Sequence, residues 1–373
     1  MLGSTTGSEV RVGDPVAEQI AALRDEDWAI REEAATRLGC LKDPRAVQPL
    51  VSTLRDQDRS VRDAAIEALA SIGEPSVVAL GPCLSDPELS VQEAASAILA
   101  SIADERVLDP LLGALRSPDW IVRMHAARAV GRINNPRSIQ FFLPLLQDHV
   151  KAVREEASTA LGSIGETAIP SLVDALTHQD WQVRLHAVEA LGKTRSRKAV
   201  GPLLSALSGD ADSAVREDAI RALAAIGDPE SVDGLLAVLN APGLRTLAVQ
   251  ALGRIGDRRA VPMLMDLATG AHPAEGMRMV AGCGDQWHEE ADTQAAAVRA
   301  LGTIGDASAL PVLAAALEST WTRAEAAAAL AQFGSEAVPV LLPLLTGSVD
   351  DNVRYHVQET LSAIGWRPGK DRR

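Results

Sequence analysis

Apolar positions along this chain recur with two nested periods. The shorter one is helical. In Val61-Arg62-Asp63-Ala64-Ala65-Ile66-Glu67-Ala68-Leu69-Ala70-Ser71-Ile72-Gly73, the residues Val61, Ala65, Ala68, Leu69 and Ile72 share one stripe, the spacing of an amphipathic helix. The longer period repeats the whole phrase, which returns at 153–165, 215–227 and 353–365, with looser copies starting at Ile30, Val91, Val122, Val183, Leu244, Thr293 and Thr322. Its second position holds Arg31, Arg62, Gln92, Arg123, Arg154, Arg184, Arg216, Arg245, Gln294, Arg323 and Arg354. Successive spacings are 31, 30, 31, 31, 30, 32, 29, 49, 29 and 31 residues, so eleven copies are present and one spacing departs from the rest.

Each phrase predicts the second helix of a pair, closed by a glycine such as Gly73 or Gly227 that suits a left-handed cap. Before it lies a shorter amphipathic segment, such as 45–54, 199–207 or 260–267, most carrying a proline: Pro49, Pro82, Pro110, Pro144, Pro170, Pro202, Pro262, Pro311 or Pro339. Proline is tolerated in a first helical turn, where its missing N–H costs no bond, and marks a kink if the helix starts earlier. One pair cannot bury both its faces, and stacked pairs can. The expectation is an all-α, right-handed α-solenoid superhelix of about eleven helix pairs, first helices convex and second helices concave. It spans 15–366 as a single domain with an insert at 268–291, between flexible ends at 1–14 and 367–373.

Composition narrows the function. The chain has 373 residues, 47% hydrophobic and 3% aromatic, so alanine and leucine carry the apolar content, a balance that suits close-packed helices over strands. Fifty acidic against 36 basic residues leave a formal charge of −14, the wrong sign for a phosphate backbone. Cys40, Cys83 and Cys283 form no C-x-x-C, which argues for a reducing compartment and against structural zinc. The opening residues lack an apolar signal core, and no apolar run approaches the ~20 residues of a membrane span. The expectation is a cytoplasmic protein with no nucleic-acid or membrane partner.

The phrase V-R-x-x-A-x-x-A-L-x-x-I-G with a proline-bearing partner helix resembles the HEAT repeat, and the short period of about 31 residues resembles the variant named after phycobilisome lyases. The resemblance runs from about Pro15 to Gly365. It implies the solenoid. For function it implies a class that includes scaffolds, assembly factors, bilin lyases, deoxyhypusine hydroxylase and some DNA glycosylases, because fold does not dictate function.

Copies that break the pattern are the candidates for function. The long spacing places about 18 extra residues in the ninth copy, among them His272, Met277, Met279, Cys283, Trp287, His288, Glu289 and Glu290. They read either as an arm whose methionines give an adaptable contact or as a surface loop. His272, Cys283, His288 and Glu289 match no zinc spacing. The fourth phrase position reads Glu33, Ala64, Ala94, His125, Glu156, His186, Asp218, Leu247, Ala296, Glu325 and His356, with Glu155 and Glu217 just before Glu156 and Asp218. Packed helices lie ~8–10 Å apart, so these side chains are placed to meet across copies, either to share a ligand or to tie the stack together. Deoxyhypusine hydroxylase places His-Glu metal dyads on such helices. Here the corresponding pairs are Met124-His125, Glu155-Glu156, Leu185-His186 and Glu217-Asp218, and none is His-Glu.

Two further columns read as structural. The arginines pair with acids on adjacent loops, as Arg62 with Asp58, and Arg suits bidentate pairing. Trp28, Trp120, Trp181 and Trp321 precede their phrases and read as plugs between turns or as an aromatic edge for a partner. There is no G-x-S-x-G, phosphate loop or paired cysteine motif, and no catalytic residue is assigned. The leading expectation is a protein-binding scaffold with an acidic concave surface that takes a basic segment, with no cofactor. A bilin lyase-like or chromophore-chaperone role, with a bilin bound, is the alternative. A metal enzyme resembling the hydroxylase, with a divalent metal, is the third.

Overall fold

A computed structural model describes residues 14–102, 104–241, 243–270, 284–346 and 350–367, with the backbone alone for 284–289. Most of the two ends expected to be flexible lies outside these residues. The described chain contains helices, 3-10 turns and short loops, and no strand. It divides into two compact units, Met1–Ser171 and Leu172–Arg373. Each is an all-α solenoid stack of helix pairs.

All eleven phrases form second helices. The first unit holds α1 (Trp28–Leu41), α2 (Arg59–Ile72), α3 (Leu89–Ile102), α4 (Trp120–Ile133) and α5 (Lys151–Ile164). The second unit holds α6 (Trp181–Thr194), α7 (Ser213–Ile226), α8 (Arg245–Ile255), α9 (Gly284–Ile304), α10 (Arg323–Gln332) and α11 (Asp351–Ile364). Within each unit, every second helix packs on the next one, and all but α6 pack on the first helix of their own pair; the first helix before α6, Ile169–Ala175, crosses the boundary between the units. The apolar stripe is the contact surface: Val61, Ala65 and Leu69 of α2 are fully buried, as are Val183, Ala187 and Leu191 of α6 to within 3%. The starts are set by aspartates. Asp27, Asp58, Asp119, Asp180 and Asp212 each accept a backbone N–H of the first turn, which satisfies donors that the helix leaves open.

Most first helices begin with a 3-10 turn, as at Pro44–Ala46, and continue as a short α-helix, as at Val47–Thr53. Pro49, Pro110, Pro170, Pro202, Pro262, Pro311 and Pro339 fall within the first three residues of those α-segments. At Pro82 and Pro144 the first helix breaks instead, passing from Val77–Leu80 to a 3-10 turn at Pro82–Ser85 and from Ile139–Phe142 to one at Leu143–Gln147. Both behaviours of proline are therefore used.

Neighbouring second helices approach closely at one repeat position. A Cβ placed on Gly39, Gly131, Gly192, Gly253 or Gly302 would lie 2.6–3.0 Å from the Cβ of Ala68, Ala160, Ala222, Ala300 or Ala329, respectively, on the following helix. Glycine against alanine lets the two backbones meet nearly bare, and a methyl added there would overpack the contact.

The arginine column clamps the loops between helices. Arg31 donates through Nε and Nη2 to Asp56 at 2.7 and 2.9 Å, Arg123 to Asp148 at 2.7 and 2.9 Å, and Arg184 to Asp210 at 2.7 and 2.9 Å. In each case the partner aspartate sits in the loop of the next copy. Nη1 of each turns back to two carbonyls of its own loop, for Arg123 those of Ser117 at 2.8 Å and Pro118 at 3.0 Å. The expected Arg62–Asp58 pair does not form. Asp58 is used as the cap of α2, and Arg62 donates to the carbonyls of Asp56 and Gln57 at 2.7 and 3.1 Å.

The Arg123–Asp148 clamp has side chains only 8% and 5% exposed. Burial alone would raise the Asp148 carboxyl, but Arg123 and the Val150 N–H outweigh it and hold the group below its ordinary value. A depressed folded value means that the stabilisation is complete above the unfolded carboxylate value of ~3.9 and is lost as pH falls through the folded one. Asp148→Ala should therefore cost roughly 3–5 kcal/mol at pH 7, the typical cost of orphaning a buried charge. Urea unfolding at pH 7 and at pH 2.5 checks this: the gap between the two proteins should shrink at the lower pH.

Candidate functional site

The fourth-position residues lie on the second helices, and three of them, Glu156, Asp218 and Glu325, are met by the seventh position of the preceding copy. Glu156 of α5 accepts from Arg128 of α4, with Nε at 2.9 Å. Glu325 of α10 accepts from Arg299 of α9 at 3.2 Å. His125 stands half-buried on α4 beside this arrangement. Burial and the neighbouring Arg128 push its ring below the ordinary histidine value, against the pull of Glu156. A groove of about 410 Å³ runs between α4 and α5, lined in part by Arg128, Arg132, Glu156 and Thr159.

At the α6–α7 step the same two positions are both acidic: Glu189 at the seventh faces Asp218 at the fourth. His186 is 5% exposed, and its Nδ1 lies 3.1 Å from Glu189. Lys193 reaches the other Glu189 oxygen at 2.7 Å. Burial works to raise the Glu189 carboxyl, but the hydrogen bonds of His186 and Lys193 prevail and hold it at about 2. Glu189 is thus a fixed negative charge. Burial and that charge together raise the Asp218 carboxyl, although Arg221 lies 3.4 Å away and His186 also opposes the shift. Glu217, next to Asp218, pairs with Arg221 at 3.1 Å.

The remaining candidates are not drawn into this arrangement. Glu33 is exposed on α1 and pairs with Arg37 of the same helix at 2.5 Å. Glu155 is exposed on α5 and pairs with Lys151 at 3.2 Å. The His356 ring stands edge-on to Tyr355, centroids 5.5 Å apart. Met277 and Met279 lie outside the described residues, as do His272 and Cys283. Trp287, His288 and Glu289 belong to the first turns of α9, and their side chains are outside the description. That helix has 21 residues where α7 has 14, so the end of the insert continues a regular helix. Glu290 from this extension reaches Arg245 of α8 at 3.3 Å, taking the part that a loop aspartate plays for Arg123.

Among the described residues, no group of three His, Cys, Asp or Glu side chains converges as metal ligands would. No single described helix is long and apolar enough to cross a membrane. The plug reading of the tryptophans is corrected: Trp28, Trp120, Trp181 and Trp321 are 48%, 40%, 41% and 64% exposed. As the first residue of its helix, each of the first three points away from the buried stripe. Reading one column at a time missed Arg128, Glu189 and Arg299. Reading the seventh position of each copy against the fourth of the next exposes the Arg–Glu, Glu–Asp and Arg–Glu pairs.

The profile for HEAT repeats matches residues 16–80, 77–162, 115–178, 169–246 and 286–362. That for the PBS lyase HEAT-like repeat matches 244–269. The bilin biosynthesis protein PecE of Mastigocladus laminosus is 34% identical over 110 residues, 27% of this chain and 41% of PecE, so the match spans well under half of that relative. In fold, the chain is similar to importin beta, with a TM-score of 0.59 at 17% identity over 93% of this chain and 57% of the other. It is also similar to the karyopherin Kap121p bound to the extreme C-terminus of the protein phosphatase Cdc14p, with a TM-score of 0.62 at 13% identity over 94% and 45%.

The α6–α7 step yields a pH-dependent expectation. A raised folded value for Asp218 means that the unfolded chain releases this proton first, so its charge weakens the fold once pH rises above ~3.9. Asp218→Asn should be more stable than the native chain at pH 7, with the advantage fading below pH ~4. Denaturant melts across pH 3–7 measure it, and a less stable variant at pH 7 would refute the assignment.

Proposed function

The chain belongs to the HEAT-repeat family, and from that premise we propose that it is a non-enzymatic scaffold that holds a protein partner by a basic segment. The segment lies along the exposed sides of the second helices. The observation that carries this reading is the α6–α7 step, where Glu189 and Asp218 oppose each other at positions that pair arginine with glutamate elsewhere. Glu33, Glu155 and Glu217 add carboxylates whose present partners are residues of their own helices. Exposed pairs of this kind are worth about 1 kcal/mol or less, so a partner's lysine or arginine competes with them readily. The overall charge of −14 favours the same partner and disfavours nucleic acid. Binding of this kind is salt-sensitive.

A second reading, a bilin-handling protein, has one specific support: the segment 34% identical to PecE, whose name states bilin biosynthesis. His125 does not line the α4–α5 groove, but it stands half-buried beside Arg128 and Glu156, which do, and it is the side chain we propose for contact with such a ligand.

Affinity capture from native lysate at low and high salt, with the native chain and with Glu33→Lys/Glu155→Lys/Glu217→Lys, tests the first reading. A basic protein should be retained by the native chain and lost, by about tenfold or more, on charge reversal and at high salt. Retention indifferent to both would refute the basic-segment reading. Titration with a free bilin tests the second reading. A shifted visible band that His125→Ala abolishes would support it, and an unaltered spectrum would remove it.

A further inference from the structure

Among the described residues, three of the four exposed tryptophans open a second helix: Trp28 on α1, Trp120 on α4 and Trp181 on α6. The first residue of a helix has no packing need for an indole, and the dipole there favours acidic groups. Copies that lack the tryptophan carry ordinary exposed residues at that place, such as Arg59, Lys151 and Ser213. Each of the three tryptophans is partly covered by the stack, yet keeps 40–48% of its surface open to water.

Their surroundings are acidic. Asp27, Asp119 and Asp180 immediately precede the three tryptophans and are held in place as helix caps. Trp28 is further flanked by the exposed Asp25 and Glu26. Near Trp120, Asp119 lies close enough to Glu93 of α3 to help burial raise the Glu93 carboxyl. The cations of the same row are turned to their own helices, Arg59 toward Asp63 at 3.5 Å and Lys151 toward Glu155 at 3.2 Å.

An indole face with a carboxylate beside it is a receptor for a cationic side chain. The ring attracts the charge over its face, and the carboxylate pairs with it from the side. An apolar occupant would instead have to strip water from the carboxylates without compensation. We infer that Trp28 and Trp120 of the first unit are docking points for lysine or arginine side chains of an extended basic segment; Trp181 offers the second unit, taken by itself, a docking point of the same kind. This inference rests on the scaffold reading and deepens it by naming the edge used. Within the first unit, Trp28 and Trp120 are three copies apart, so at ~8–10 Å per helix they stand ~24–30 Å from each other. A segment of about nine extended residues, at ~3.3 Å each, bridges them.

A fluorescently labelled nona-arginine peptide, titrated against the full chain at low salt and followed by anisotropy, tests the inference, with nona-glutamate as the opposite probe. Trp28→Ala and Trp120→Ala should each weaken nona-arginine binding by ~2–5-fold, and the pair should weaken it further. Because truncation also removes packing, Trp120→Leu and Trp120→Phe accompany them: the leucine variant should bind as weakly as the alanine one, and the phenylalanine variant should recover part of the loss. Unchanged affinity in the double variant, or leucine equal to phenylalanine, overturns the docking edge while leaving the scaffold reading in place. Equal or better binding of nona-glutamate overturns it too. A native chain that ignores nona-arginine sinks the basic-segment reading itself, and the edge with it.

Discussion

The stack depends on how one loop is held to the next. A guanidinium such as that of Arg123 joins two loops at once, through two bonds to Asp148 of the following copy and two to carbonyls of its own. Asp148 in turn accepts the N–H of Val150, which leads into α5. The arrangement satisfies buried donors and acceptors together, the condition under which a desolvated ion pair is tolerated. Arginine meets it because its planar fork addresses a carboxylate and two carbonyls in one geometry. Where the aspartate is absent the column changes. Arg216 faces the shortened eighth copy, which has Leu239 at the place of Asp56, Asp148 and Asp210, and its Nε is buried without a partner. Arg245 takes its carboxylate from Glu290, on the extension of α9.

Closeness of the second helices is the next consequence. With the loops clamped, glycine opposite alanine lets consecutive backbones nearly touch. That separation is what brings a seventh-position side chain within reach of the fourth position on the next helix. Arg128 and Arg299 use it to neutralise glutamates, while Glu189 uses it to crowd Asp218. The same backbone geometry therefore yields an arginine–glutamate tie at one step and two crowded carboxylates at another, by the choice of one residue.

The two features proposed to meet a partner have different physical characters. The carboxylates along the second helices act through charge, with weak surface pairs that exchange easily. The tryptophans at the helix starts add area and a directional π face to the neighbouring caps. In the proposed complex, charge would draw a basic segment in and the indoles would give it fixed points, which is the usual division between steering and anchoring at an interface.

The period of the apolar stripe, the glycine stops and the recurrent proline were enough to establish eleven helix pairs, because local propensity and burial repeat in register with each other and agree about the fold. The arginine column was legible as structural for the same reason. Its partners were not, since Asp58 and Asp56 lie two residues apart and only the packed geometry assigns one to the cap of α2 and the other to Arg31. The fourth-position column was visible, but its meaning lay in the seventh position of a different copy, a contact set by helix separation that no single column contains. The tryptophans looked like plugs because large apolar residues are usually buried. Which way a first-turn side chain faces is settled by the tilt of the helix against its neighbours, and that tilt exists only in the folded stack.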